Sequence, residues 1–168
     1  MAVGFKVKFY WYQVGNGEFL NSFFSTVAYH LEDMQWGSRF PVIMNELYKG
    51  QLDLKNIDQA MEELSVIKRE LKNFSPNEVI WNIDDLSQQP PWGNNISKDI
   101  TSLSNYFVTS EGDDLLQLLY HALEKAKEVD SNSVQPSGSS GRSQYPRRKN
   151  AYTGAALCHE YERGRSAW

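Results

Sequence analysis

Residues 5–31 have the sequence FKVKFYWYQVGNGEFLNSFFSTVAYHL, in which the hydrophobic period changes. Up to Tyr12 the side chains alternate, and one side of the alternation is apolar: Phe5, Val7, Phe9 and Trp11. A period of two with aromatic and β-branched residues predicts a strand over 5–12 with one buried face. From Glu18 onwards the apolar residues recur at helical spacing, which predicts an amphipathic helix that ends near Asp33.

The rest of the chain up to residue 130 changes repeatedly between helical and extended patterns. In the helix predicted over 56–75, Glu62 and Glu63 are expected on the solvent-exposed face. Strands interleaved with helices predict an α+β domain, in which a small mostly antiparallel or mixed sheet of about three strands packs against about four helices. The predicted order is β-α-α-α-β-β-α: strand 5–12, helix 18–33, helix 41–50, helix 56–75, strand 78–83, strand 106–109 and a last helix that follows a capping box at 110–113 and ends near Val129.

Composition limits the compartment and the class of protein. The chain has 168 residues, of which 40% are apolar and 13% aromatic, so it can build a core. No apolar run approaches the ~20 residues that a membrane helix needs, and the N-terminus lacks the pattern of a signal peptide. Cys158 is the single cysteine, which excludes an intrachain disulfide and a cysteine-based zinc site. We therefore expect a cytoplasmic protein with no membrane partner.

Charge divides the chain into two parts. Residues 1–130 hold 11 basic and 19 acidic residues, a net charge of −8, whereas residues 131–168 hold 6 basic and 2 acidic residues, a net charge of +4. We predict a single domain over 1–130 and a flexible tail over 131–168, because Ser131–Gly141 is rich in serine and glycine. The tail is interpreted as added or read-through sequence, with a natural basic arm as the alternative.

The acidic domain also limits the partners. Such a surface repels phosphate backbones, which argues against direct nucleic-acid binding, and it suits a basic protein partner. A mildly acidic surface that only serves solubility is the ordinary alternative.

Catalytic patterns are few. His30 and His121 each have too few ligand-type neighbours at helical spacing for a metal site, and Cys158 lies beside His159 in the tail. The paired carboxylates Asp84-Asp85 and Asp113-Asp114 could hold a divalent metal, which gives a small metal-dependent hydrolase as the alternative function. A solvated loop and a favourable charge at a helix N-terminus explain these pairs better, so we predict no catalytic residues, no metal and no cofactor.

Two tryptophans occupy irregular segments. Trp36 is followed by Gly37, and Trp92 lies in the sequence Pro90-Pro91-Trp92-Gly93. A tryptophan in a loop either closes the edge of the core or anchors a partner, and tryptophan is enriched among interface hot spots. Acidic residues near Trp92 would give such an anchor a charged rim.

Several stretches resemble the immunity protein 70 family, whose members are small proteins of bacterial polymorphic toxin systems. The resemblance covers most of residues 4–125, through FYWYQVG at 9–15, FLNSFFST at 19–26, WGSRFPVIMNELYKG at 36–50, PPWG at 90–93 and TSLSNYFVT at 101–109. It implies a non-catalytic inhibitor that binds a cognate toxin domain and blocks its active site or substrate entry.

We accordingly predict an immunity protein, a monomer or weak homodimer, whose partner is a toxin domain. A nuclease is the toxin class that an acidic inhibitor would suit, because nucleases need basic substrate grooves. A structural module of a larger assembly is a third possibility. The predicted toxin-binding residues are Trp36, Asp84, Asp85, Trp92, Asp113 and Asp114.

Overall fold

A computed structural model describes the backbone of residues 2–133 and 155–161, and the side chains of residues 2–130. Its strands and long helices are β1 (Ala2–Val7), β2 (Tyr10–Asn16), α1 (Gly17–Leu31), β3 (Leu52–Asp53), α2 (Ile57–Leu71), α3 (Leu115–Ser133) and β4 (Ala155–Tyr161). Three short helical segments join them: a π-helical segment at Val42–Leu47 and 3₁₀ turns at Leu54–Asn56 and Pro76–Glu78.

The strands form one sheet in the order β2-β1-β4-β3. All of its pairings are antiparallel: β1 pairs with β2 and with β4, and β3 pairs with β4. The core contains apolar residues of the sheet and of all three long helices, such as Phe5, Phe23, Leu64 and Leu119. The predicted α+β class is therefore confirmed.

The predicted first strand is a hairpin. Residues 5–12 belong to β1 and β2, which turn at Lys8 and Phe9. Lys8 has a φ of +49°, and the Phe9 side chain is 98% exposed. The alternating pattern continues through the turn, and neither turn residue is a glycine or asparagine that would have indicated it.

The predicted helices agree with α1, α2 and α3. Asn16 begins α1, since its side-chain Oδ1 accepts a hydrogen bond from the Phe19 N–H at 2.8 Å. The short helix predicted over 41–50 is π-helical, and the chain leaves it through Gly50, whose φ is +85°.

Two predicted strands do not form. The segment 78–83 is irregular because hydroxyl groups of α1 bind its backbone: the Ile80 N–H donates to Thr26 Oγ1 at 3.1 Å, and the Ile83 N–H donates to Ser25 Oγ at 3.2 Å. These bonds replace those of a strand ladder. In the segment 106–109, pairing is limited to one antiparallel bridge, between Val108 and Asp114.

The division into a domain and a tail stays a prediction. In the tail, the structure describes the backbone at the end of α3 and in β4, where Val3 is opposite Tyr161 and Lys6 is opposite Cys158. The remaining tail residues, 134–154 and 162–168, lie outside the described residues, and so does the side chain of His159.

Candidate binding surface

An apolar groove of about 180 Å³ opens where the start of α1 meets the loops that precede α3. We call it the Trp92 groove. Its walls are mainly aromatic and aliphatic, and they come from three separate segments of the chain. The lining residues are Phe19, Trp92, Asn95, Ile96, Ser97, Ile100, Tyr106 and Val108.

Trp92 is fixed in place and yet remains accessible. Its indole Nε1–H donates to the Tyr106 hydroxyl oxygen at 2.8 Å, and its ring lies nearly perpendicular to the Trp81 ring at a centroid distance of 5.4 Å. Burial raises the pKa of Tyr106, so its hydroxyl stays protonated at neutral pH. The Trp92 side chain remains 40% exposed, so it closes the edge of the core and also presents part of its ring to solvent.

Asp99 and Asp114 are each linked to a residue that lines the Trp92 groove. The Ser97 hydroxyl donates to Asp99 Oδ2 at 3.4 Å, which places this carboxylate next to a lining residue. Asp114 pairs with Val108, and residues directly opposite in an antiparallel bridge project from the same face. Asp114 also begins α3, since its Oδ1 accepts from the Gln117 N–H at 3.1 Å.

Asp113 has a different position from Asp114. Its N–H donates to Thr109 Oγ1 at 3.1 Å, and its carbonyl accepts from the Thr109 N–H at 2.8 Å. Asp113 is exposed, and the bridge to Val108 is formed by its neighbour Asp114 instead. The predicted capping box at 110–113 is therefore wrong, because Asp114 caps α3.

Asp84 and Asp85 lie on an exposed turn that follows Trp81. The Asp85 carboxylate accepts hydrogen bonds from the Ser87 hydroxyl at 2.6 Å and from Gln88 Nε2 at 3.1 Å. These bonds hold the pKa of Asp85 below its usual value. This turn is linked to Trp92 through Trp81, whose ring packs against the Trp92 ring.

Trp36 belongs to a separate cluster. Its Nε1–H donates to the Met44 carbonyl at 2.8 Å, and its ring packs against Tyr48 and Phe24 at centroid distances of 4.8 and 6.3 Å. Residues 36–41 belong to the segment that connects α1 to the π-helical segment. These contacts hold that connection against both helices. Trp36 therefore packs on different elements from the other five predicted binding residues, which all lie between residues 84 and 114.

Two buried glutamates that hold this connection were not predicted. Glu32, which is 2% exposed, accepts from the backbone N–H groups of Gly37, Arg39 and Phe40 at 2.9 to 3.1 Å. Glu63, which is 7% exposed, accepts from the N–H groups of Val42 and Ile43 at 3.3 and 2.9 Å.

The prediction that Glu63 is solvent-exposed is therefore wrong. Burial raises the pKa of Glu63, against the opposing effect of its hydrogen bonds. The sequence contained a signal, since Glu63 is three residues after Ala60 and four before Ile67, within the buried stripe of α2.

Acidic charge is concentrated in the part of the chain that forms most of the Trp92 groove. Residues 73–124 contain eight acidic residues and one basic residue, Lys98, a net charge of −7. This stretch accounts for most of the net charge of −8 over residues 1–130. It also supplies every lining residue of the groove except Phe19.

The residues of the alternative hydrolase do not converge. His30 Nε2 donates to the Glu78 carbonyl at 2.6 Å and its ring packs on Phe74, whereas His121 contacts Glu124 on the exposed side of α3. Within the described residues, no group of three or more His, Cys, Asp or Glu side chains is placed to hold a metal ion. The hydrolase alternative is therefore not supported.

None of the described helices is both long enough and apolar enough to cross a membrane. An accessible tryptophan in an apolar groove beside carboxylates is typical of a protein-binding surface. The fold defines a small α+β protein, and the Trp92 groove is its candidate binding surface.

The family model of immunity protein 70 matches residues 5–134. Because this match covers more than half of the chain, the chain belongs to the immunity protein 70 family, and the family predicted from the sequence is confirmed. Comparisons with curated proteins and with solved structures give no match.

Proposed function

We propose that this chain is a non-catalytic immunity protein that binds a cognate bacterial toxin domain in the cytoplasm and thereby neutralises it. The observation that carries the proposal is the family match over residues 5–134. Binding is one-to-one, with the chain as a monomer or weak homodimer, and it needs neither cofactor nor direct contact with nucleic acid. The toxin is inhibited because the bound chain covers its active site or its substrate entry.

Charge supports a nuclease as the toxin. A nuclease needs a basic groove for its phosphate substrate, and the stretch 73–124 with its net charge of −7 is complementary to such a groove. The proposed contact residues in this stretch are Asp84, Asp85, Trp92, Asp113 and Asp114. Trp36 is a proposed contact on a second, separate surface.

Co-expression tests this function. The toxin domain encoded by the adjacent upstream gene is induced alone, with this chain, and with an unrelated acidic immunity protein of similar size. We expect survival and a stable co-purified complex only with this chain. A toxin that kills equally in its presence, or a neighbouring product that is harmless, would contradict the proposal.

A further inference from the structure

We infer that the Trp92 groove binds a lysine or arginine side chain presented by a basic protein partner. The inference rests on the proposed function, since that function supplies a protein partner, and it specifies the chemistry of the contact. The size of the groove is the first argument. At about 180 Å³ it is smaller than the ~300–1,000 Å³ typical of small-molecule sites, so it suits one side chain.

The orientation of Trp92 is the second argument. Its one donor, the indole Nε1–H, is already bonded to Tyr106. The exposed part of the ring therefore has no free N–H to offer an anion or a hydrogen-bond acceptor, whereas the π system of an indole attracts cations. Ile96, Ile100 and Val108 provide apolar walls against which the methylene groups of a long cationic side chain can pack.

The surrounding charges are the third argument. Asp99 is bonded to the lining residue Ser97, and Asp114 projects from the same face as the lining residue Val108. Across residues 73–124, Lys98 is the single basic residue to compete for these carboxylates. A neutral apolar occupant would gain nothing from this charge, whereas a cation gains from both the ring and the carboxylates.

The test uses the full chain labelled with ¹⁵N, whose five tryptophans give five indole N–H signals in an NMR spectrum. The Trp92 signal is identified by its loss in Trp92→Phe. The probe is an acetylated hexa-arginine peptide, and the comparison peptide is hexa-citrulline, in which each guanidinium is replaced by a neutral urea group of similar shape. We expect hexa-arginine, and not hexa-citrulline, to shift the Trp92 signal saturably.

A pair of double variants tests the carboxylates. Asp99→Asn with Asp114→Asn removes two charges beside the groove, and asparagine at 114 preserves the cap of α3. Asp33→Asn with Glu62→Gln makes the same charge change at exposed residues elsewhere. We expect the dissociation constant for hexa-arginine to rise about tenfold in the first variant and by less than about twofold in the second.

The proposal is overturned if the Trp92 signal does not move, if hexa-citrulline moves it equally, or if the two double variants weaken binding equally. The co-expression assay separates these results from the proposed function. Rescue from the toxin without a hexa-arginine effect would reject the groove inference alone. A specific hexa-arginine effect without rescue would reject the immunity function alone.

Discussion

Replacing Glu32 with alanine should destabilise the fold strongly, because its carboxylate accepts three backbone hydrogen bonds. The Phe40 N–H is buried, and losing a charged partner there costs about 2–3 kcal/mol. The N–H groups of Gly37 and Arg39 are partly buried, so water replaces the carboxylate at about 0.5–1 kcal/mol each. The expected loss in the free energy of unfolding is therefore roughly 3–5 kcal/mol, a large part of the ~5–15 kcal/mol of a typical domain.

Urea unfolding followed by tryptophan fluorescence measures this loss, as a lower midpoint with an unchanged slope. Glu32→Gln provides a graded test. Its oxygen can keep the bonds to Arg39 and Phe40, so only the bond to Gly37 is lost and the expected cost is about 1–2 kcal/mol. Glu62→Ala is the control, since this exposed side chain should contribute less than about 0.5 kcal/mol. A loss below about 1 kcal/mol in Glu32→Ala would refute the reasoning.

Three further predictions concern pH, association and the C-terminal strand. Burial raises the pKa of Glu63 in the folded state above its ordinary 4.5. The stability that its protonated form contributes at low pH is therefore lost as the pH rises through this raised pKa. Urea titrations from pH 4 to 8 should show the decline in the parent and not in Glu63→Gln. Asp84→Lys combined with Asp85→Lys should slow association with the toxin about tenfold at low salt and weaken the salt dependence of the association rate. Unchanged rates in stopped-flow measurements would show that these two residues are not at the interface. Truncation after Ser133 removes β4 from its place between β1 and β3. Because this exposes strand edges, the truncated chain should have a lower unfolding midpoint or self-associate. An equally stable chain that runs as a monomer in size-exclusion chromatography would contradict that pairing.

The long helices were predictable because their signals are local. The α1 stripe and its Asn16 cap lie within one continuous stretch, and so does the α2 stripe. The hairpin turn was not predictable, because Lys8 adopts a φ of +49° without the residue type that favours it. The missing strand at 78–83 depends on Ser25 and Thr26, more than fifty residues away, whose hydroxyls bind that backbone.

The candidate site shows the same division between local and distant causes. A tryptophan beside two prolines indicates an aromatic loop, and Trp92 does lie in a partly exposed groove. Which carboxylates are linked to it depends partly on tertiary pairing, since Asp114 forms a backbone bridge with the lining residue Val108. Asp84 and Asp85 are nearer to Trp92 in sequence than Asp114 is, but the turn after Trp81 uses the carboxylate of Asp85 for its own hydrogen bonds.

α1 explains how a surface made largely of loops can be preorganised for binding. Ser25 and Thr26 on this helix bind the backbone at 80–83, and Phe19 at its start forms one wall of the Trp92 groove and packs on Phe107 at 6.0 Å. Binding costs less when the surface is ordered beforehand, because fewer side chains and loops lose freedom on association. The loops at 79–114 can therefore be irregular in secondary structure and still present Trp92 in a fixed position.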